Sequence, residues 1–590
     1  MSLGLRWNLV ETDANLSLMS QVLGIKEATA SVMANRGIRS KNAAKAYLQA
    51  GLAGQKNSQT NILDSRNGMK DARKAFDRII KGIRQRERVM IYGDYDADGV
   101  MSTVILYKAL KSCGADVYFY IPHREEEGYG LNLNAVRAIK EDDHDLLITC
   151  DNGISSLAEI AEAQNLGMDV IVIDHHEPGF VGEDTGLTQG QNEGHYKRHD
   201  VIPEALAVID PKQAACPYPF KEMCAAGLSF RLMESFYQYI GRDFSHLYNE
   251  LLALASIATI CDIVDLLGEN RAIVKQGLMV LNANKGLNGG LSKLIALKGY
   301  MEKPIDTFTV GFVLGPCINA TGRLESAEMS VQLLLSNNEE EQTELARTLI
   351  GLNEERKAIT NRCVDRALKK ITALEDKVIV LVDEETHESI AGIVAGKIKE
   401  TIHRPTIVLT RSTDTGILKG SGRSIEKYNL FEALYANRDL FLRFGGHAMA
   451  AGMTLEEEKV EELYARLNKA CTLQDSDFQG IIQIDRELDP EEITLELAKE
   501  LEWLAPFGKG NREPLFLTRN LSLTALRVIN EKNTLIFTFG NLKGIAFGLN
   551  DVFSGRAGDN MDLVHTVETN TFGGRTSVQI RIRDFKIIGS

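Results

Sequence analysis

Short, continuously apolar runs that alternate with helix-like stretches limit the fold of this chain more than any other feature. Such runs stand at 88–92, 145–150 and 169–173, and the segments 99–112 and 155–166 between them have helical composition. Strands that are apolar on both sides belong to parallel sheets whose two faces are covered by helices. The sequence therefore predicts an α/β fold built on a parallel sheet.

The rest of the chain changes character along its length. Residues 1–88 have mostly helical composition, and residues 178–200 are polar and Gly-rich, which predicts a long loop. The last hundred or so residues alternate with period two between turn residues, which is typical of a small β-barrel. We predict the divisions 1–88 (helical), 89–300 (parallel sheet), 301–371 (helical connector), 372–456 (smaller α/β domain) and 470–590 (β-barrel).

Composition narrows the class of protein. Hydrophobic residues make up 44% of the 590, and no run approaches the ~20 apolar residues of a membrane span. The first residues lack a signal-peptide pattern, so we expect a cytoplasmic location and no membrane partner. The net charge of −14 argues against a general nucleic-acid coat, but a nuclease with a local basic groove fits it. None of the eight cysteines forms a C-x-x-C pair, so we expect buried, reduced thiols.

Acidic and histidine side chains follow each of the three apolar runs. The carboxyl ends of parallel strands meet at one edge of a sheet, where α/β proteins place their ligand sites. We therefore expect these side chains to lie close together. They are Asp94, Asp96 and Asp98 after the first run, Asp151 and Asn152 after the second, and Asp174, His175 and His176 after the third.

Crowded carboxylates repel one another unless a cation lies among them. Oxygen ligands with one or two imidazoles suit Mn²⁺ or Mg²⁺, and Zn²⁺ or Fe²⁺ stay open. A pair of ions about 3.5–4 Å apart can activate water and stabilise a leaving oxygen, so the pattern predicts phosphodiester cleavage. Any one of these endings alone would more often be a turn or a helix cap. A calcium loop is disfavoured because Ile105 stands at the twelfth position, where such a loop needs Glu.

The strings DYDADG, DNG and DHH, in this order, resemble the DHH phosphoesterase superfamily, and GDYDADG resembles its RecJ branch of single-strand-specific exonucleases. Later segments continue the resemblance over nearly the whole chain, through a DHHA1-type second domain and an OB-fold. These segments are 260–265 (ICDIVD), 268–271 (GENR), 315–323 (GPCINATGR), 419–424 (KGSGRS), 444–447 (FGGH) and 506–511 (PFGKGN).

The resemblance implies roles for individual residues. Two Mn²⁺ or Mg²⁺ ions would be held by Asp94, Asp96, Asp98, Asp151, His175 and Asp262, with Asp94 either a ligand or a group behind one. The catalytic residues would be Asp98, Asp151, His175, His176 and Asp262, with Asp174 and Asn152 supporting them. Phosphate and the DNA end would be bound by Arg323, Ser421, Arg423 and His447.

Two departures from the family pattern stand out. Cys317 replaces an arginine, which would remove a phosphate contact. The loop at 178–200 is longer than the family implies, and it could gate the site, touch DNA, bind a partner or be a floppy insertion. It carries His195, Lys197, Arg198 and His199.

The predicted activity is removal of 5′ nucleotides from single-stranded DNA in repair and recombination. Two other readings stay open: a phosphodiesterase for short oligonucleotides or cyclic dinucleotides, and a non-catalytic scaffold, which usually loses the acidic ligands. The family implies a helicase and a single-strand-binding protein as partners, and we expect a monomer. In the barrel, about half of the candidate strand-binding residues would be core. These candidates are Phe537, Phe539, Phe547, Arg575, Arg581 and Arg583.

Overall fold

Strands and helices alternate from Arg88 to Ile173 in the computed structural model, which describes residues 5–49, 61–124, 126–182, 198–283, 287–371, 376–412, 416–530 and 533–588. The chain divides into two units, each with its own internal contacts. The parallel-sheet unit comprises residues 49–356 and 506–511, and the composite unit comprises residues 1–48, 357–505 and 512–590.

Elements are numbered in chain order. The strands of the parallel-sheet unit are β2 (Arg88–Tyr92), β3 (Asp116–Tyr120), β4 (Leu146–Cys150), β5 (Asp169–Ile173), β6 (Gly179–Gly182), β7 (Arg198–Val201) and β8 (Ala207–Ile209). Its helices are α4 (Ala72–Gln85), α5 (Ala97–Ser112), α6 (Leu133–Glu141), α7 (Leu157–Asn165), α8 (Ala225–Tyr239), α9 (Ser245–Cys261), α10 (Gly268–Ala283), α11 (Gly289–Leu297), α12 (Thr307–Thr309), α13 (Gly315–Leu324) and α14 (Glu328–Leu335), with a π-helical segment at Val310–Leu314. The long helix α15 (Glu339–Lys370) begins in this unit and ends in the composite unit.

The composite unit contains the two ends of the chain. Its helices are α1 (Leu16–Leu23), α2 (Glu27–Asn35), α3 (Lys41–Leu48), α16 (Glu388–Ile402), α17 (Leu430–Tyr435), α18 (Val460–Ala470) and α19 (Leu495–Glu502). Its strands are β1 (Arg6–Leu9), β9 (Ile379–Val382), β10 (Thr406–Arg411), β11 (Ile417–Arg423), β12 (Phe441–His447), β13 (Ala450–Glu456), β14 (Ile481–Ile484), β15 (Arg486–Glu487), β16 (Phe516–Ser522), β17 (Ala525–Ile529), β18 (Thr534–Phe539), β19 (Leu542–Phe547), β20 (Asn560–Phe572) and β21 (Arg575–Ile588).

The predicted parallel sheet is present, with the strand order β3-β2-β4-β5-β8. All four pairings between neighbouring strands are parallel. The chain leaves β2 in one direction to reach β3 and later returns to the other side to form β4. The strand order therefore reverses between β2 and β4, and ligands of open α/β sheets bind in the crevice at such a point.

Both faces of this sheet are covered, which explains the continuous apolar runs. Val89 and Ile91 pack into a core with α5, α8 and α9, while Met90 and Tyr92 pack into a second core with α6 and α7. Successive strand residues point to opposite faces, so a strand covered on both faces must be apolar throughout. Each fully buried aliphatic side chain contributes about 1.5–3 kcal/mol.

The two ends of the segment predicted as a loop at 178–200 form strands. The strands β6 and β7 pair in antiparallel fashion, with Gly179 opposite Val201, so the prediction of a continuous loop was wrong for these ends. Composition misses such a pair because each strand has only four residues. His195 and Lys197 lie outside the described residues.

The composite unit contains the predicted smaller α/β domain and the β-barrel domain. In the first, the sheet order is β12-β13-β11-β10-β9, and β9 and β10 are its parallel pair. In the second, seven strands follow the order β15-β16-β20-β21-β19-β18-β17. The strand β1 pairs in parallel with β14, and α1–α3 belong to this unit, whereas α4 belongs to the parallel-sheet unit. Within the described ranges, no helix has the length and apolar character needed to cross a membrane.

Candidate metal centre

The loop between β2 and α5 places three carboxylates at the crevice. Asp96 caps α5, because its Oδ1 accepts hydrogen bonds from the backbone N–H groups of Asp98 (2.8 Å) and Gly99 (3.2 Å). Asp94 is buried, and its Oδ1 has no hydrogen-bond partner among the described residues. Burial, followed by the charge of Asp96, raises the pKa of Asp94 well above its usual range. A buried oxygen of this kind needs a cation or a proton.

Asp98 is held by a helix that comes from elsewhere in the chain. Its two oxygens accept hydrogen bonds from the backbone N–H groups of Ala225 (2.7 Å) and Ala226 (2.8 Å) at the start of α8. The positive end of that helix favours a carboxylate there. Burial and the neighbouring Asp96 nevertheless raise the pKa of Asp98 to about 7. The two hydrogen bonds fix the position of the Asp98 carboxylate, and its raised pKa shows that the protein supplies too little positive charge to keep it ionised.

Asp151 and His175 meet at the ends of β4 and β5. His175 Nε2 lies 3.1 Å from Asp151 Oδ1, 3.6 Å from Asp98 Oδ2 and 3.9 Å from Asp262 Oδ2. Burial lowers the pKa of His175 to about 3, so its imidazole is neutral and can offer a lone pair to a metal. Burial and the charge of Asp98 raise the pKa of Asp151. Asp151 also has a φ of +64°, an uncommon conformation that occurs at functional sites.

Asp262 joins the cluster from the end of α9, more than eighty residues after His175. Burial and the charge of Asp98 raise the pKa of Asp262 to about 8. The next residue, Ile263, has a φ of +56°, which is a strained conformation for a β-branched side chain. Strain of this kind persists only where the surrounding structure fixes the backbone.

Asp174 organises the two histidines. Its Oδ1 accepts hydrogen bonds from the backbone N–H of His175 (2.7 Å) and from Nδ1 of His176 (2.7 Å), and its Oδ2 accepts from the N–H of Ile154 (2.9 Å). Burial disfavours a charged His176, but the hydrogen bond and the charge of Asp174 outweigh burial and raise the pKa of His176 to about 9. The two neighbouring histidines therefore differ in charge at neutral pH.

Asn152 supports the loop after β4 from inside. Its Nδ2 donates to the backbone carbonyl oxygens of Cys150 (3.0 Å) and Tyr92 (3.4 Å), which ties the ends of β4 and β2 together. Gly153, with a φ of +109°, lies so close to Thr149 that a Cβ would be 2.5 Å from the hydroxyl oxygen. This glycine lets the chain turn tightly beside Asp151.

The strand ends thus bring all the predicted ligands together. Their ligand atoms form three overlapping groups whose members lie within 4.8 Å of one another, and such groups could hold metal ions. Oxygen ligands around one neutral imidazole fit hard divalent cations. The three groups are Asp94–Asp96–Asp151, Asp98–His175–Asp262 and Asp151–His175–His176.

Arginine side chains lie close to the acidic loop. Burial and the charges of Arg124 and Arg356 lower the pKa of Arg323 to about 10, so the three arginines are close enough for their charges to interact. The Arg124 guanidinium carbon lies 4.8 Å from the centre of the Tyr95 ring. A Cβ on Gly322 would lie 2.3 Å from the Tyr95 carbonyl oxygen, so α13 packs directly on the acidic loop. Crowded arginines of this kind suit a phosphate.

Some residues at this edge were not predicted from the sequence. Asp210 follows the short strand β8 and is fully buried, and it repeats the pattern of an apolar run that ends in Asp. Arg124 follows β3, a strand that lacks the continuous aliphatic run of its neighbours and was not predicted from the sequence. Tyr129 places its hydroxyl 3.2 Å from the carbonyl oxygen of Asp151 and 3.3 Å from Nδ1 of His176, and no sequence signal indicates it.

Cys317 does not occupy a position that could contact a phosphate. Its side chain is fully buried in the main core, where Sγ lies 3.2 Å from the Val313 carbonyl oxygen and 3.5 Å from Nδ2 of Asn353. The thiol itself therefore contacts no phosphate, and the effect of the missing arginine on DNA binding stays a prediction. The motif at 315–323 drew attention to Cys317, but the sequence does not show which face of α13 its side chain occupies.

Three further predicted residues lie together in the composite unit. Arg423 donates to Ser421 Oγ (2.8 Å) and to the Gly422 carbonyl oxygen (2.8 Å), and burial lowers the pKa of Arg423. His447 on β12 and Arg423 on β11 both pair with Ala450 of the intervening strand. His447 is exposed.

Two of the six candidate residues of the barrel lie in the core, fewer than the half that was predicted. Phe537 and Phe539 are buried, whereas Phe547 is 57% exposed. Arg581 and Arg583 both form ion pairs with Glu513, and Arg575 is exposed.

A parallel sheet whose strand ends gather aspartates and a His-His pair defines a DHH-type phosphoesterase, and comparisons with known proteins agree. The family model described as "DHH family, N-terminal domain" matches residues 88–259. The model of the DHHA1 domain matches residues 375–473, and that of the RecJ OB domain matches residues 484–584.

Individual relatives place the chain more narrowly. It is 36% identical to the single-stranded-DNA-specific exonuclease RecJ of Bacillus subtilis, over 98% of this chain and 70% of that protein. It is 33% identical to the Escherichia coli protein of the same name, over 86% of this chain and 89% of that protein. The chain belongs to the RecJ family.

Solved structures support the same assignment. The crystal structure of RecJ in complex with Mn²⁺ from Thermus thermophilus aligns with a TM-score of 0.79 at 27% identity, over 98% of this chain and 79% of that one. The Mg²⁺ complex of the same protein aligns with a TM-score of 0.74 at 26% identity, over 98% of this chain and 78% of that one. A further structure, of exonuclease RecJ bound to manganese, has a TM-score of 0.57 and 34% identity, over 70% of this chain and 97% of that one.

Proposed function

We propose that this protein is a metal-dependent exonuclease that degrades single-stranded DNA to mononucleotides from the 5′ end. The observation that carries the proposal is the cluster of buried carboxylates around the neutral His175, at the point where the strand order of the sheet reverses. The relatives named as single-stranded-DNA-specific exonucleases support the choice of substrate.

Two Mn²⁺ or Mg²⁺ ions would be held by the six predicted ligands, Asp94, Asp96, Asp98, Asp151, His175 and Asp262. When bound, such ions lower the pKa of a water and stabilise the oxygen that leaves. Asp151 and His175 each belong to two of the three ligand groups, and of these two side chains the Asp151 carboxylate, with two oxygens, would be the one shared between the ions. Asp94 fits as a ligand because its buried Oδ1 lacks a hydrogen-bond partner among the described residues.

His176 would act on the phosphate rather than on a metal. Its Nδ1 is hydrogen-bonded to Asp174, and Nε2 of the charged ring, 3.4 Å from the Tyr129 hydroxyl, would hold a proton for the leaving oxygen or contact a phosphate oxygen. Arg323, together with Arg124 and Arg356, would bind a phosphate group of the strand, because the planar guanidinium matches phosphate oxygens. In the composite unit, Ser421, Arg423 and His447 would hold the DNA end.

The test is release of nucleotides from single strands that carry a label at the 5′ end, with Mn²⁺ or Mg²⁺ present. The substitution Asp151→Ala should reduce the rate by more than the roughly 10–100-fold that loss of an outer-shell partner costs. Asp143→Asn is the matched control, because Asp143 is exposed just before β4, at the opposite end of that strand. Undiminished release by Asp151→Ala would disprove the metal assignment.

Activity on different substrates distinguishes the proposed exonuclease from a phosphodiesterase for short oligonucleotides or cyclic dinucleotides. We expect single strands to be degraded and blunt duplexes to be spared. Turnover of dinucleotides or cyclic dinucleotides without attack on longer strands would instead favour a phosphodiesterase for short substrates.

The proposal includes three further predictions. We expect a monomer, which gel filtration tests, and a cytoplasmic location, which fractionation tests. We also expect a helicase or a single-strand-binding protein as partner, which pull-down from the native source tests.

A further inference from the structure

An apolar groove of about 410 Å³ lies in the parallel-sheet unit, outside the set of metal ligands. Its walls come from the segment after α9, from α12 and the π-helical segment, and from residues 506–511. A volume of this size is within the range of small-ligand sites. The side chains that matter below are Ile263, Phe308, Phe312, Phe507 and Lys509.

The groove presents two aromatic rings to solvent. Phe308 and Phe312 stack on each other, with ring centres 4.9 Å apart and an angle of 25° between the planes. They are 61% and 68% exposed, and Ile263 across the groove is 65% exposed. Exposed apolar side chains that lie together on a folded protein mark a binding surface rather than core.

One short stretch of backbone contributes both to the groove and to the metal centre. Ile260 and Cys261, which precede the ligand Asp262, and Ile263, which follows it, all line the groove. The strained φ of Ile263 turns the chain at this point, so that one short segment supplies a carboxylate to the ions and an apolar wall to the groove. The groove wall therefore begins one residue from a predicted metal ligand, close enough for nucleotides next to the bound phosphate to lie beside it.

We propose that this groove is a stacking site for the unpaired bases of the strand next to the bond that is cut. This inference rests on the proposed function. Base–aromatic stacking tolerates any sequence, because every base has a π-face. Lys509 at the rim is exposed and only 3.8 Å from Asp265, a loose pair that a backbone phosphate can replace.

Nucleobases fit this surface better than an apolar peptide does. The groove lies beside a site whose carboxylates would hold cations, and a nucleic acid strand carries the phosphates that such a site binds. Bases inside a duplex are covered on both faces by the neighbouring base pairs, whereas the bases of a single strand can turn a face towards the two rings. Stacking here therefore contributes to the selection of single strands.

The test measures kcat/KM on single-stranded 12-mers with Mn²⁺ for the intact protein and for Phe308→Ala and Phe312→Ala. We expect each substitution to lower kcat/KM by roughly five- to a hundredfold. Phe312→Leu keeps an apolar side chain without a π-face and should lose nearly as much. Met279→Ala removes an exposed apolar side chain of the same unit outside the groove and should leave the rate unchanged.

Abasic substrates give a second readout that needs no variant. In a series of 12-mers with one abasic nucleotide at successive positions, one or two adjacent positions should lower kcat/KM of the intact protein. The Phe308→Ala, Phe312→Ala double variant should lose nothing further at those positions. Equal rates across the series and across the variants would overturn the stacking site and leave the groove to a protein partner. Failure of the intact protein to cut any single strand would instead overturn the proposed function.

Discussion

The buried carboxylates of the metal centre need a positive charge that the protein itself does not supply. Asp98 and Asp262 retain protons to unusually high pH, with pKa values of about 7 and about 8, because both are buried next to other carboxylates. Their ordinary pKa is about 3.9. The folded protein therefore binds protons more tightly than the unfolded chain between pH 4 and pH 8.

This difference predicts how stability depends on pH and metal. In EDTA, Tm should fall as pH rises from 5 to 8, because the folded state must release protons that the unfolded chain has already lost. Mn²⁺ should raise Tm, and more at pH 8 than at pH 5, because it binds the ionised carboxylates. Differential scanning fluorimetry across this range measures both effects. A Tm in EDTA that rises with pH over this window would contradict the assignment.

Asp174 should control the charge of His176. The substitution Asp174→Asn keeps the shape of the side chain but removes the negative charge that raises the pKa of His176. We expect a lower kcat, by roughly 10–100-fold, and an alkaline limb of the pH–rate profile that moves to lower pH. His176→Gln should abolish that limb. An unchanged limb in Asp174→Asn, with a normal circular dichroism spectrum, would show that His176 does not carry the proton.

Residue identities near the site were predictable where the local pattern is strong. The strand endings at Asp98, Asp151 and His175 follow clear apolar runs, so their convergence could be predicted from the rules of parallel sheets. Asp210 escaped because β8 has only three residues. The burial of Cys317 depends on the rotation of α13, which the sequence around it does not determine.

At the scale of elements, α16 packs closely against β11. A Cβ on Gly392 would lie 2.6 Å from a terminal nitrogen of Arg423, whereas a Cβ on Gly396, one turn later, would lie 4.0 Å from Arg423 Cγ. Both glycines lie within α16. The two positions therefore form a natural pair for testing whether the placement of Arg423 matters.

Gly392→Ala should displace the Arg423 guanidinium and weaken binding of single-stranded DNA roughly tenfold, since a charged hydrogen bond contributes about 1.5–3 kcal/mol. Fluorescence anisotropy with a labelled oligonucleotide measures the change. Gly396→Ala should bind normally and gain about 0.5–1 kcal/mol of stability, because alanine favours the helix. Equal binding by both variants would remove Arg423 from the DNA contact.

The strands were predicted best where the sequence has one clear pattern of apolar residues. The runs at 88–92, 145–150 and 169–173 became β2, β4 and β5 almost residue for residue. The strand β3, at the edge of the sheet, was missed because it contains one aspartate and three aromatic residues instead of a continuous aliphatic run. The strands β6 and β7 were missed because they are short and stabilise each other only as a pair.

At the scale of the whole molecule, the first strand is tied to the last quarter of the chain. Trp7 donates from Nε1 to Asp584 Oδ2 (2.7 Å), and the Lys586 ammonium lies 4.1 Å from the centre of its ring. A charged hydrogen bond and a cation–π contact together can contribute more than either alone. Sequence analysis could not find this pairing, because no local pattern links residues so far apart.

Trp7→Ala should destabilise the composite unit by about 2 kcal/mol, less than the about 3–5 kcal/mol of a fully buried tryptophan, because the side chain is half-buried. Trp7→Phe keeps the ring and should lose less. Hydrogen exchange should show the loss of protection in β14 and β21. Protection in β2, β4 and β5 should be unaffected, and a uniform loss across both units would contradict the division between them.

The pairing of β1 with β14 also sets an order of events during synthesis. Arg6 pairs with Ile481, so β1 has no partner strand until more than four-fifths of the chain has been synthesised. The parallel-sheet unit is complete, apart from six residues, by residue 356. It can therefore fold as a unit while the first forty-eight residues are still without their sheet partner. A nascent chain stalled before residue 481 should thus carry a folded sheet and an amino-terminal segment open to proteases and chaperones.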